Sequence, residues 1–164
     1  MELDSYKCPL IGNHLVEAGA GTGKTYNIQI LFMRMLLQGV PITEILVVTF
    51  TELATAELRD RLRRILSETL NACIQFTIDG SLPEDNAQIL PFFDSTACPE
   101  AIMENNAEEV LKNLKTAQQS FDDAPVSTIH GFCSRMLNEN AFESGLRYGM
   151  KPRTDVSDLV FKAL

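Results

Sequence analysis

The sequence predicts an α/β fold, a parallel sheet flanked by helices, and three observations predict it. A glycine-rich turn at 18–23 is bracketed by an apolar run before it and helical periodicity after it. Ile45 to Phe50 (ILVVTF) is a continuous β-branched and aromatic run, as expected for a strand covered on both faces. The order strand, loop, helix, strand, helix, insertion, strand, helix, without an internal repeat, is the pattern of a parallel sheet.

The elements follow from local signals. His14 to Glu17 comes after a Gly12-Asn13 turn and carries Leu15 and Val16, which reads as a short buried strand entering the glycine-rich loop. From Lys24 to Gln38, Ile28, Ile30, Leu31, Met35 and Leu36 recur at helical spacing, and Gly39 with Pro41 closes the helix. After the ILVVTF strand, a long second helix carries the stripe Leu58, Leu62, Ile65, Leu66 and Leu70. On its other side, Glu57 with Arg61 and Asp60 with Arg64 form i,i+4 pairs. Periodicity fails between Gln75 and Pro99, where Gly80, Pro83, Pro91 and Pro99 punctuate an irregular insertion. A helix is expected from about Glu100 to Ser120, with Met103, Ala107, Val110, Leu111, Leu114 and Phe121 on one face. Val126 to Ile129 then reads as a third strand, Gly131 to Glu143 as a helix, and Asp155 to Leu164 as the start of another.

Composition bounds the possibilities. The chain has 164 residues, enough for one domain with a real core. Apolar residues make up 45 % and charged residues 22 %, which excludes a disordered or fibrous chain. The longest apolar stretch, Ile30 to Leu37, is broken by Arg34, so no membrane span is expected, and MELDSYKCPL has no signal-peptide pattern. The net charge of −8 is unevenly spread: residues 1–74 hold 8 acids and 7 bases (−1), 75–123 hold 10 acids and 2 bases (−8), and 124–164 hold 4 acids and 5 bases (+1). A general basic coat is excluded, while a local anion site is not. Cys8, Cys73, Cys98 and Cys133 contain no C-x-x-C pair, and they read as free buried thiols in a cytoplasmic protein.

Ala18-Gly19-Ala20-Gly21-Thr22-Gly23-Lys24-Thr25 is a Walker A sequence with alanine in place of the first glycine. Gly21 and Gly23 can take the positive φ that turns successive amides inward at a helix N-terminus, making a nest for phosphate oxygens. Lys24 would reach the β- and γ-phosphates, and the Thr25 hydroxyl would bind Mg²⁺ carried by ATP. The alternative, a glycine-rich turn without a ligand, does not account for a complete GKT between strand and helix. ATP and Mg²⁺ are therefore the expected ligands. Hydrolysis also needs a carboxylate to hold the metal, and no apolar strand here ends in Asp. Arg135, Arg147 and Arg153 carry no mark of a transition-state finger.

Two further segments share a layout. VVTFTELATAELRDRL (47–62) sets Thr49, Phe50 and Thr51 at the C-terminal end of one strand, and VSTIHGFCSRML (126–137) sets Thr128 and His130 at the end of the next. Open parallel sheets place ligand contacts there. Hydroxyls and amides suit phosphates, and an aromatic ring suits an unstacked base. Each segment alone is weak, because a Phe at a strand end is commonly core and a His before Gly is commonly a turn residue. The cations Arg59, Arg61, Arg63 and Arg64 have acidic neighbours and read as a solvated face.

Taken together and in this order, the three segments resemble the UvrD/Rep-like superfamily 1 DNA helicases, in their exodeoxyribonuclease V branch. LVEAGAGTGKT resembles motif I, VVTFTELATAELRDRL motif Ia, and STIHGFCSRMLNENAFESG motif Ib. The resemblance covers residues 8–74 and 124–160 and implies a P-loop NTPase (RecA-like) sheet, incomplete in this chain. Residues 1–74 and 124–164 would form the partial ATP-binding domain, and 75–123 an acidic insertion, helical in 100–120. It implies ATP binding by Ala18, Gly19, Ala20, Gly21, Thr22, Gly23, Lys24, Thr25 and Tyr26, with Lys24 and Thr25 as catalytic residues. It also implies contact with single-stranded DNA through Phe50, Thr51, Thr128 and His130. The partners implied are single-stranded DNA and other subunits of an exodeoxyribonuclease V-like complex in recombinational DNA repair. The DE-containing motif II, the later motifs and a nuclease domain are expected beyond residue 164, so the chain reads as the N-terminal fragment of a longer helicase subunit, without turnover of its own. The upstream glutamine of the Q-motif helicases is not evident, which leaves adenine recognition unassigned. Two other classes fit a Walker A loop in a chain of this length: a small P-loop kinase, and a non-enzymatic module docking through 75–123. A sheet lacking later strands also predicts self-association through its exposed apolar edge.

Overall fold

The computed structural model describes residues 3–17, 19, 21, 23–83 and 86–140. Its regular elements are α1 (Lys24–Leu37), β1 (Val47–Thr49), α2 (Glu52–Asp79), α3 (Ala107–Gln119), β2 (Val126–Thr128) and α4 (Ile129–Glu139). The expected helix 155–164, the end of the third motif, Arg147 and Arg153 lie outside the described residues.

Helix α1 ends where glycine permits. Gly39 takes φ 84°, its amide bonds to Leu36 O, and the Val40 amide bonds to Met35 O, both at 3.0 Å, which closes the helix in a Schellman turn. The buried side differs from the expected stripe. It carries Gln29, Ile30, Phe32, Met33, Arg34, Leu36 and Leu37, while Ile28 is exposed and Leu31 and Met35 are half-buried. Helices α2 and α3 both pack on α1, and the N-terminal turn takes up Arg34. The helix is therefore covered over more of its circumference than one apolar stripe describes.

Helix α2 buries Leu58, Leu62, Ile65, Leu66 and Leu70 as expected. It continues past residue 75 to Asp79, because Phe76 packs edge-on against Phe93 with centroids 5.5 Å apart. It stops at Gly80, which takes φ 74° and donates its amide to Phe76 O at 2.9 Å. Arg61 pairs with Glu57 at 2.5 Å, whereas Arg64 lies 3.9 Å from Glu68. Helix α3 begins at Ala107, seven residues after the expected start at Glu100. The Glu100 carboxylate is taken by Arg34, and the Asn106 side chain accepts the Met103 amide and donates to Ala101 O, holding a turn ahead of the helix.

Strands β1 and β2 pair in parallel, with Val47 opposite Val126 and Thr49 opposite Thr128. Residues in register share a face, and the face bearing Val47 and Val126 packs into the core beside α2. The opposite side is open among the described residues, with Leu46 and Val48 exposed, so β1 is not covered on both faces. Residues 14–17 form no strand, and Leu15 is 89 % exposed. A strand needs a hydrogen-bonded neighbour, and the two described strands pair only with each other. The core lies between α1, α2 and α3, and it includes Ile89, Phe92, Phe93 and Cys98 from the segment expected to be irregular, with Ala101 and Ile102 from the start of the expected helix.

All four cysteines are free. Cys73 and Cys98 are buried, Cys8 is half-buried, and Cys133 is exposed on α4, a helix with no buried residue. Burial pushes the Cys98 thiol up to about 11, the neighbouring Glu100 adding to it. No described helix is long and apolar enough to cross a membrane.

Candidate functional site

The glycine-rich loop delivers the chain into α1 through two residues that only glycine occupies without strain. Gly21 has φ 77° and Gly23, at the N-cap, φ 80°. Nothing lies within 4 Å of where a Cβ on Gly21 would be, so the loop has open space over it. No side chain caps α1 and no acid sits in its first turn, and its dipole points its positive end at this opening. Lys24 and Thr25 are the first two helical residues, Lys24 exposed and Thr25 half-buried. Gln29 donates to Thr25 O at 3.1 Å, one turn on. Ala18, Ala20 and Thr22 lie outside the described residues. Glycines at positive φ before a helix N-terminus, followed by a lysine and a threonine hydroxyl, are the residue types that a triphosphate and its magnesium ion would need. Among the described residues no group of three His, Cys, Asp or Glu could hold a metal by itself.

Tyr26 follows directly. Its hydroxyl lies 2.8 Å from that of Tyr6, which donates to Gln88 O at 2.9 Å. Burial and the Tyr26 contact together push the Tyr6 phenol well above the ordinary tyrosine range. Ser5 donates to Asn27 Oδ1 at 2.6 Å. The first turn of α1 is thus tied to the N-terminal turn and to the segment after α2, beside a recess of about 330 Å³ bounded by Leu3 to Tyr6, Tyr26 and Asn27. A larger recess of about 500 Å³, between α2 and residues 81–89, contains none of the motif residues.

The second cluster sits at the C-terminal ends of the two strands. Phe50 leaves β1 with its side chain 79 % exposed. Thr51 caps α2, its hydroxyl accepting the Ala54 amide at 3.2 Å, while its carbonyl accepts from the Thr49 and Thr55 hydroxyls. Thr128 caps α4 by accepting the Gly131 amide at 3.0 Å, and its own hydroxyl donates to Glu52 at 3.1 Å. It is 6 % exposed. His130 is exposed on the first turn of α4. The structure therefore sets two groups of bonds side by side, Thr49 with Thr51 and Thr55, and Thr128 with the unanticipated Glu52, with Phe50 and His130 open to solvent.

The arginines of α2 serve the fold. Arg59 donates to Val126 O at 3.0 Å and to Ala124 O at 3.4 Å. Arg63 pairs with Asp122 at 2.6 Å and lies over the Phe121 ring, 4.6 Å from its centroid. Neither contact has a sequence signal beyond the presence of a cation, because the partners are about sixty residues away.

Fold and site together define an α/β chain with a glycine-bent loop at a helix N-terminus and two polar strand ends side by side. The sequence model of the UvrD/REP helicase N-terminal domain matches residues 3–160, and the chain belongs to that family. It is 41 % identical to the RecBCD enzyme subunit RecB of Escherichia coli (strain K12) and 37 % identical to that of Haemophilus influenzae, in both cases over 98 % of this chain. Identity to the RecB subunit of Chlamydia trachomatis is 31 % over 79 % of the chain. The chain spans 13 % of the length of the first two relatives and 12 % of the third.

Proposed function

We propose that this chain is the ATP-binding, DNA-contacting N-terminal part of an ATP-dependent helicase–nuclease subunit in a RecBCD-like complex, acting in recombinational double-strand-break repair in the cytoplasm. The carrying observation is the loop at α1: two glycines at positive φ, Lys24 and Thr25 opening the helix, and no acidic residue in its first turn. The relatives' names support the same reading. Residues 1–74 and 124–164 form part of a RecA-like P-loop domain, with 75–123 as an acidic insertion. The residues from Ala18 to Tyr26 hold the nucleotide. Lys24 binds the terminal phosphates, the loop amides bind their oxygens, and Thr25 holds Mg²⁺. Bound MgATP supplies the phosphoanhydride whose hydrolysis drives movement along DNA. Phe50 offers a ring to an unstacked base, and Thr51, Thr128 and His130 mark the two backbone ends that receive the strand.

Two measurements test this reading. Lys24→Ala is expected to weaken a fluorescent ATP analogue by roughly ten- to a hundredfold, the loss of about 1.5–3 kcal/mol from one charge-assisted hydrogen bond. An unchanged affinity defeats it. The chain carries no apolar strand ending in Asp, so phosphate release is expected to stay at background, and release above background refutes the claim that it turns over no ATP. With Leu15 at 89 %, Phe50 at 79 % and Leu53 at 81 % exposure, the isolated chain is also expected to self-associate. Light scattering should show a mass that rises with concentration.

A further inference from the structure

The contact between Glu52 and Thr128 is more than either helix requires. Thr128 caps α4 with an acceptor lone pair, which leaves its hydroxyl proton to spare, and that proton goes to Glu52 Oε1 at 3.1 Å. A carboxylate in the first turn stabilises α2 through the helix dipole in any rotamer, so helix stability does not aim Glu52 at a residue 76 positions away. Gly131 completes the arrangement. A Cβ there would stand 3.1 Å from Thr128 Oγ1, so glycine leaves room for the amide and hydroxyl to meet. The result is a latch joining the N-terminal turns of α2 and α4, one following each strand. Arg59 separately ties α2 to the start of β2, through the carbonyls of Ala124 and Val126.

A carboxylate beside a phosphate-binding surface weakens that surface electrostatically. Its presence is intelligible if its contribution is geometric. Two helix N-terminal turns that each hold part of one nucleic-acid backbone bind it more tightly when their relative position is fixed beforehand, because less freedom is lost on binding. We propose that Glu52 is a positioning residue: through Thr128 it fixes the N-terminal turns of α2 and α4 relative to each other, beyond the paired strand ends, where a single-stranded DNA backbone lies across both. This rests on the proposed binding of single-stranded DNA at the strand ends. Glu52 itself touches no phosphate.

The test is fluorescence anisotropy of labelled oligo-dT with the 164-residue chain, its Glu52→Gln variant and its Glu52→Ala variant, each over a series of salt concentrations. Glutamine keeps an acceptor for the Thr128 hydroxyl and loses the charge, so Glu52→Gln is expected to bind at least as tightly as the parent. Alanine removes the latch, and Glu52→Ala is expected to bind about tenfold more weakly, the equivalent of one hydrogen bond to a charged group. The slope of log affinity against log salt should also flatten by about 0.7 for each phosphate that the protein no longer neutralises. A variant that is merely less folded lowers the bound fraction without changing that slope. The latch is read separately by hydrogen exchange at the Gly131 amide, faster in Glu52→Ala and unchanged in Glu52→Gln. If Glu52→Ala binds as tightly as the parent, or Glu52→Gln as weakly as Glu52→Ala, the positioning role is overturned. Uniform Gly131 exchange in all three chains overturns the latch itself. If the parent fails to bind oligo-dT while Gly131 exchange responds as expected, the DNA reading of the site falls and the latch stands.

Discussion

Arg34→Ala is expected to destabilise the chain by about 3–5 kcal/mol, the range for removing one partner of a buried ion pair. Urea unfolding followed by circular dichroism would read it, and a loss below about 1 kcal/mol would show the pair to be solvated. Arg34 is 1 % exposed in the middle of α1. Its guanidinium grips both oxygens of Glu100, Nε to Oε2 at 2.6 Å and Nη2 to Oε1 at 3.0 Å, while Nη1 donates to Ser5 O at 2.9 Å and Cys8 O at 2.7 Å. Alanine leaves a carboxylate and two carbonyls with little water to replace those donors, and each is costly to bury unpaired. Since whole domains are held by only about 5–15 kcal/mol, this one change takes a large share of the total. The pair also predicts a dependence on acid. Burial alone pushes the Glu100 carboxyl up, but the hydrogen bond and charge of Arg34 outweigh it and hold the group below its ordinary 4.5. A depressed carboxylate contributes stability that is complete above its unfolded-state pKa and is lost as pH falls through the folded-state value. The gap between parent and Arg34→Ala should therefore be widest near neutrality and narrow below about pH 4.

Arg34 also shows where sequence reading stops. An arginine in an apolar helical stretch reads as an interruption, and its side chain would be placed in water. Here it is buried because a carboxylate 66 residues away and two backbone carbonyls converge on it, and no local pattern encodes that meeting. The stripe of α1 departs from expectation for the same reason: Ile28 faces solvent and Phe32 and Met33 are buried. What is legible is what short-range chemistry decides. Glycine decides the loop bend at Gly21 and Gly23 and the stop at Gly39. A single apolar stripe decides the buried face of α2, whereas the threonines at 51 and 128, read only as ligand contacts, also cap the helices that follow the strands. So local signals place the loop and the strand ends, while the Glu52 to Thr128 contact that joins two of them has no such signal. The run at 14–17 shows the converse limit, since apolar residues announce a strand but cannot supply the neighbour it must bond to.

The segment after α2 carries the second large effect. Phe92→Ala is expected to cost about 3–5 kcal/mol, as for other fully buried aromatic residues, and Phe92→Leu only about 1–1.5 kcal/mol because most of the volume is kept. Phe92 is 0 % exposed. It packs on Tyr6 with centroids 5.5 Å apart, and its carbonyl accepts the Ile102 amide at 2.6 Å. It thus sits where the N-terminal turn, the segment before α3 and the main core meet. Lacking helical or strand periodicity, residues 75–99 read as an irregular insertion and 100–106 as the start of a helix, yet Ile89, Phe92, Phe93, Cys98, Ala101 and Ile102 fill the core through turns and a 3-10 segment at Leu90–Phe93. An appended loop would melt on its own and leave the rest unchanged. A shared core gives one cooperative transition in which all probes move together, and Phe92→Ala should shift that whole transition to lower urea. The change reaches toward the glycine-rich loop as well. Tyr6, freed on one side, is the residue that holds Tyr26 at the first turn of α1, directly after Thr25. Binding of the ATP analogue at low denaturant should weaken in Phe92→Ala by less than in Lys24→Ala, because the phosphate donors remain and only their support is loosened. A Phe92→Ala chain with a second, separate unfolding step would instead make 80–106 an independent unit, and its acidic surface an appendage rather than part of the domain.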